Sequence, residues 1–157
     1  MTDIPANDTA ADKSEWVHDA LDTAVERITS LGIIPGDLVE ARPIWSIPNR
    51  VMIGQLREKR NPATAYWIIA GAGPTDFIDL AVAATPRDAA RHFSLKWQLD
   101  AARYADPGTK KVQDIPQQEW DRLATALRAQ AEALYALSDN ADLWQEPGSI
   151  DQASTDD

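Results

Sequence analysis

The chain has 157 residues, 44% of them hydrophobic, with 25 acids against 15 bases and no cysteine. The missing cysteines exclude thiolate catalysis, disulfides and Cys-based zinc sites, and the length suits a domain that buries a core without such staples. The N-terminus has neither a basic start nor an apolar segment, and the apolar run Tyr66 to Ala70 is far too short to cross a bilayer, so a soluble cytoplasmic protein is expected.

The net charge of −10 is concentrated at the ends. Residues 1–12 carry Asp3, Asp8 and Asp12 without a base, and residues 139–157 carry six acids without a base. The remainder, 13–138, holds 16 acids against 15 bases and is close to neutral. Both ends are poor in large apolar residues and cannot offset the entropy of ordering. We therefore expect disordered acidic tails at 1–12 and 146–157 around a single domain at 13–145, with the acidity serving solubility first. A nucleic-acid binder would carry a basic stripe interleaved with aromatics, and Arg57-Glu58-Lys59-Arg60 is too short to be one.

Ser14 to Leu31 sets Trp16, Val17, Ala20, Leu21, Ala24, Val25, Ile28 and Leu31 at helical spacing. The spacing predicts an amphipathic helix capped by Ser14 and stopped by Gly32. From Ile33 to Ile78 the prolines Pro35, Pro43, Pro48 and Pro62 leave room only for short pieces. Strands are expected near Val39–Trp45, Val51–Arg57 and Tyr66–Ala70, the last two paired antiparallel through the polar loop Lys59 to Thr64. Tyr66 to Ala70 is apolar without alternation, which marks a central strand covered on both faces. That strand runs into a Gly/Pro loop, Gly71-Ala72-Gly73-Pro74, ending at Thr75-Asp76.

A second helix is expected from Thr85 as N-cap, with Pro86 at its first position and Asp88 three residues after the cap, to about Tyr104. It would bury Ala90, Phe93, Trp97, Ala101 and Tyr104. After the turn Asp106-Pro107-Gly108, the same logic starts a third helix at Asp114-Ile115-Pro116-Gln117 and carries it to about Ser138, with Ile115, Trp120, Leu123, Leu127, Leu134 and Leu137 inward. Helix, strands, then two helices imply an α+β fold, a small antiparallel sheet of about three strands packed against three helices.

The run Trp67-Ile68-Ile69-Ala70-Gly71-x-x-Pro74-Thr75-Asp76-Phe77-Ile78, followed by Pro86-Arg87-Asp88-Ala89-x-x-x-Phe93-x-x-x-Trp97, resembles an uncharacterised bacterial domain family. Its pattern is W-x-I-x-G-D-x-P-T-D-Y-I, then H-P-R-x-A-x-x-x-F-x-x-x-W. Trp45-x-x-Pro48, Ala131 to Tyr135 and Trp144 extend the likeness over most of 14–145. This chain has Ala72 where the pattern has Asp, and Thr85 where it has His. The resemblance implies a fold and no activity.

Candidate binding residues are Thr75, Asp76, Arg87, Arg91, His92 and Trp45. Asp76 leaves a strand beside a helix start, where it can accept backbone N–H bonds or pair with Arg87. A structural clamp is the favoured reading of that pair, because ion-pair networks also arise without chemistry. Gly71 and Gly73 lack the spacing of a phosphate loop and serve to relieve backbone crowding. No metal site is expected, since His18 and His92 sit on different helices without carboxylates at ligand spacing. Ser46 and Ser94 lack the setting of a serine nucleophile, and Asp76 with Asp79 would need two differently tuned environments to act as acid and base. Trp45 and Trp144 are either core-closing rings or interaction anchors. No catalytic residue and no cofactor is assigned.

Two function classes follow. The expected one is a non-enzymatic interaction module, an adaptor or immunity-type binder of another protein, with no role for nucleic acid or membrane. The alternative is a small hydrolase or ligand-binding enzyme using the Pro74-Asp76 corner and Arg87.

Overall fold

The computed structural model describes residues 10–32, 38–109 and 114–144, with side chains from Lys13 onward. The tail expected at 146–157 and residues 1–9 lie outside the described residues. Two compact units divide the chain, Met1–Ala89 and Ala90–Asp157.

The first unit contains helix α1 (Ala10–Ser30) and strands β1 (Val39–Ile47), β2 (Val51–Glu58), β3 (Ala65–Gly71) and β4 (Asp76–Asp79). Helix α1 starts earlier than Ser14, so Ala10, Ala11 and Asp12, expected in the tail, are helical. The Ala-Ala-Asp-Lys lead-in favours helix, and Ser14 becomes an interior residue whose carbonyl oxygen lies 2.9 Å from His18 Nδ1. Gly32 stops the helix as expected. Its φ is 77°, and its N–H donates to the Thr29 carbonyl at 3.0 Å.

The sheet order is β1-β2-β3-β4, every neighbouring pair antiparallel. Four strands stand where about three were expected. The added one, β4, has only four residues, pairs with Tyr66 to Ile69, and begins at Asp76, where the Gly/Pro loop is expected to end, in a stretch given no strand. The three expected strands lie within a few residues of their predicted places. Pro43, which cannot donate a ladder bond, sits on the edge strand β1 beside a register shift between Pro43 and Trp45.

One face of the sheet packs on α1. Ala20, Leu21, Ala24 and Ile28 meet Met52, Leu56, Ile68 and Ala70, with Trp16, Val17, Val25, Tyr66 and Phe77 around them. Ile28, Met52, Leu56 and Ile68 are fully buried, each contributing about 1.5–3 kcal/mol. On the opposite face Trp45, Ile53, Trp67, Ile69 and Ile78 are also buried, so β3 is central and covered on both sides. Trp67 fixes the chain after β4, its Nε1 donating to the Ala83 carbonyl at 2.9 Å.

Helix α2 (Pro86–Ala105) begins as predicted, with the Asp88 N–H donating to Thr85 Oγ1 at 3.0 Å. Most of it belongs to the second unit, with α3 (Gln117–Ser138) and a short 3₁₀ turn at Ala141–Trp144. Ala90, Phe93, Trp97 and Ala101 are buried as expected, and so is Ser94, whose hydroxyl donates to the Ala131 carbonyl at 2.8 Å. Helix α3 starts later than Asp114 suggested. Pro116 is its cap residue and supplies no side-chain bond. Its buried positions are Trp120, Ala124, Ala131, Leu134 and Ser138, while Leu123 is 42% exposed. The small residues Ala124, Ala131 and Ser138 lie in the packed stripe, so the wheel turns away from the one that leucines alone would set. The fold class is α+β.

Candidate functional site

The Gly/Pro corner is shaped first by backbone. Gly71 has φ 140°, and a Cβ placed there would run into the Arg50 carbonyl oxygen and come 2.9 Å from Val51 Cα. The Ala72 N–H donates to that same carbonyl at 2.9 Å. Gly71 therefore permits close strand packing at the end of the β2–β3 pair, the crowding-relief role read from the sequence.

Thr75 and Asp76 are half-buried where the chain re-enters the sheet. Asp76 opens β4 opposite Ile69, and its Oδ1 accepts the Phe77 N–H at 2.8 Å. Asp79 closes the strand, its Oδ1 accepting the Ala81 N–H at 2.8 Å as the cap of the 3₁₀ turn Leu80–Val82. Residues three apart on a strand point to opposite faces, so Asp76 and Asp79 do not form a catalytic carboxylate pair. Arg87, half-buried in the first turn of α2, belongs to the same unit.

Register shows what the sheet brings together. Trp45 pairs with Ile53, Ile53 with Ile69, and Ile69 with Asp76, so Trp45 and Asp76 occupy one cross-strand row on one face. They stand at opposite edges of the sheet, roughly 14 Å apart at three strand spacings. Trp45 is 8% exposed and closes the core there. Trp144 is half-buried, with Nε1 donating to the Leu137 carbonyl at 2.8 Å.

Arg91 and His92 lie in the second unit, Arg91 half-buried and His92 exposed. On α2, His92 shares a stripe with Leu95 and Leu99 at i, i+3, i+7 spacing, on the side away from Phe93, Trp97 and Ala101. Leu95 is 57% and Leu99 70% exposed. Sequence reasoning misses this pair. Its signal is two leucines four residues apart, outside the stripe assigned to the core.

Two hollows in the first unit also carry polar groups. A groove of about 340 Å³ on β1 and β2 is lined by Glu40, Arg42, Gln55 and Arg57, which register places on one sheet face. Arg57 is partly committed, its Nη1 donating to the Pro62 carbonyl at 2.5 Å. A second hollow of about 310 Å³ lies between α1 and the strand ends, walled by Trp16, Asp19, Ala20 and Thr23 of α1, by Asn49, and by Ala70 to Ala72. No local motif marks either hollow. Among the described residues no group of three or more His, Cys, Asp or Glu is placed to hold a metal ion. No helix among them is long and apolar enough to cross a membrane.

A family model for a domain of unknown function, DUF4826, matches residues 10–144, and the chain belongs to that family. No curated protein and no solved structure matches the chain.

Proposed function

We propose that the protein is a non-enzymatic interaction module of the bacterial cytoplasm, binding another protein through the outer face of α2. The observation that supports this reading is the pair Leu95 and Leu99, the latter 70% exposed. Two large apolar side chains one turn apart give this face an apolar spot that a partner could cover, and His92 on the same stripe adds a polar rim. An apolar face of this kind would receive the side chains of a partner helix or loop, and its central residues would carry most of the affinity. The Pro74-Asp76 corner supports catalysis less well, because Asp76 Oδ1 is engaged by the strand's own backbone.

The test is comparative capture from the source cells with the intact chain and with the double substitution Leu95→Asp, Leu99→Asp, each captured protein then titrated in purified form. Both leucines are mostly exposed, so the double variant is expected to fold with a melting temperature a few degrees lower, Asp being the weaker helix former, and to lose a direct partner by at least about 100-fold. Equal binding by the stable double variant would refute the reading.

A further inference from the structure

We propose that the hollow between α1 and the ends of strands β1, β2 and β3 binds a small organic ammonium ion. Its volume, about 310 Å³, is at the lower end of the range for small-molecule sites. Small residues make the space. Ala20 and Ala70 are buried at its base, and Gly71 cannot carry a side chain without displacing Arg50.

The groups around that space are an aromatic ring, one carboxylate and two neutral polar side chains. Trp16 packs against the core cluster and also lines the hollow. Asp19, one turn along, supplies a carboxylate, and Thr23, a further turn along, a hydroxyl. Asn49 faces them from the β1–β2 turn. Its backbone is held in the left-handed region, φ 68°, where the next residue's N–H donates to the Ile47 carbonyl at 2.9 Å. Asp19, Thr23 and Asn49 are exposed and, among the described residues, their side chains make no protein hydrogen bond, so a ligand would meet their polar atoms by displacing water. No Lys, Arg or His among the described residues lines the hollow.

An indole and a lone carboxylate select a cation, and they select an organic one. An indole attracts an ammonium group and its attached methylenes, which a hydrated metal ion lacks, while Asp19 supplies the opposite charge and, to an ammonium that carries N–H, a charge-assisted hydrogen bond. Thr23 and Asn49 can both donate and accept, which suits a hydroxyl or carbonyl on the same ligand. Glu15, Asp22 and Glu26 are exposed on α1 at i−4, i+3 and i+7 from Asp19, but Arg27 follows Thr23 by one turn and Arg50 adjoins Asn49, so the flanking charges are mixed and selection of a cation rests on Asp19 itself.

Titration of the full chain with choline and with n-butylammonium tests the proposal, read by tryptophan emission and by amide shifts at Asn49 and Gly71. Sodium chloride at equal ionic strength and sodium acetate serve as controls. We expect a saturable response to an ammonium probe above the salt control and none to acetate. Trp16→Phe should abolish the emission change, and Asp19→Asn should weaken n-butylammonium binding about tenfold, one charge-assisted contact. Asp22→Asn, beside the hollow but outside it, should weaken binding less than threefold. The proposal is overturned if neither probe responds saturably beyond the salt control. It is also overturned if Asp22→Asn matches Asp19→Asn, which would reduce the effect to attraction by an acidic helix.

Discussion

Replacing Gly71 with alanine tests the geometry that ends the β2–β3 pair, and two other glycines separate the causes. Gly32 has φ 77° and open space where a Cβ would stand, so Gly32→Ala measures the backbone penalty alone, about 1–2 kcal/mol for a left-handed alanine. Gly54 carries no positive φ, but a Cβ there would lie 2.6 Å from the Arg42 carbonyl oxygen and 3.2 Å from Met52 Sδ. Gly54→Ala therefore measures crowding, about 1–3 kcal/mol for a forced backbone shift. Gly71 combines both terms, since its φ is 140° and its Cβ would collide with the Arg50 carbonyl that Ala72 also needs. The sum is about 2–5 kcal/mol, a large share of a typical domain's stability. Urea unfolding followed by circular dichroism gives the three differences, and hydrogen exchange at the β2 and β3 amides assigns them to the first unit. A Gly71→Ala cost no larger than that of Gly32→Ala would refute the close approach of Gly71 to Arg50.

Three further outcomes follow from single contacts. Trp67→Phe keeps most of the buried ring volume but removes the donor to the Ala83 carbonyl, so it should cost about 1–3 kcal/mol, with faster amide exchange through residues 80–83; unchanged exchange there would show that the bond does not hold this segment. Ser94→Ala removes a buried hydroxyl bond between α2 and α3 and should lower stability by about 1 kcal/mol, whereas a stabilised variant would mean that the hydroxyl is poorly satisfied. Thr85→Ala removes the acceptor for the Asp88 N–H and should cost about 1 kcal/mol with fraying confined to the first turn of α2, measurable by amide exchange at Asp88 and Ala89. A stable, unfrayed variant would show that Pro86 alone sets the helix start.

The elements that can be read from the chain are those whose signals are local. Thr85, Pro86 and Asp88 specify the start of α2 within four positions, and the structure follows them. The Lys59 to Thr64 loop and the unalternating run Tyr66 to Ala70 likewise predict the β2–β3 hairpin and its central place. Strand β4 has no such local signal. Four residues after a Gly/Pro loop gain strand structure only by pairing with β3, a partner whose register Asp76-Phe77-Ile78-Asp79 cannot announce. The start of α3 at Gln117 falls at the end of the stretch Asp114 to Gln117 from which it was expected, and its cap residue Pro116 makes no side-chain bond that would fix it more closely.

Candidate sites follow the same divide, and it decides which hypotheses a sequence brings forward. Thr75, Asp76, Arg91 and His92 draw notice because polar residues lie beside glycines, prolines or one another along the chain. The fold uses Gly71 to let two strands approach, engages Asp76 Oδ1 with a strand N–H, and divides the six candidates between two units. The hollow beside α1 is assembled from the opposite kind of material. Asp19 and Thr23 are ordinary surface positions of an amphipathic helix, and Asn49 lies in a turn some thirty residues away. Nothing in their spacing singles them out until the β1–β2 turn and the end of β3 are placed against α1. A motif search weights residues by their neighbours in sequence, while a binding site weights them by convergence in space. In this chain the groups of the proposed ammonium site are of the latter kind.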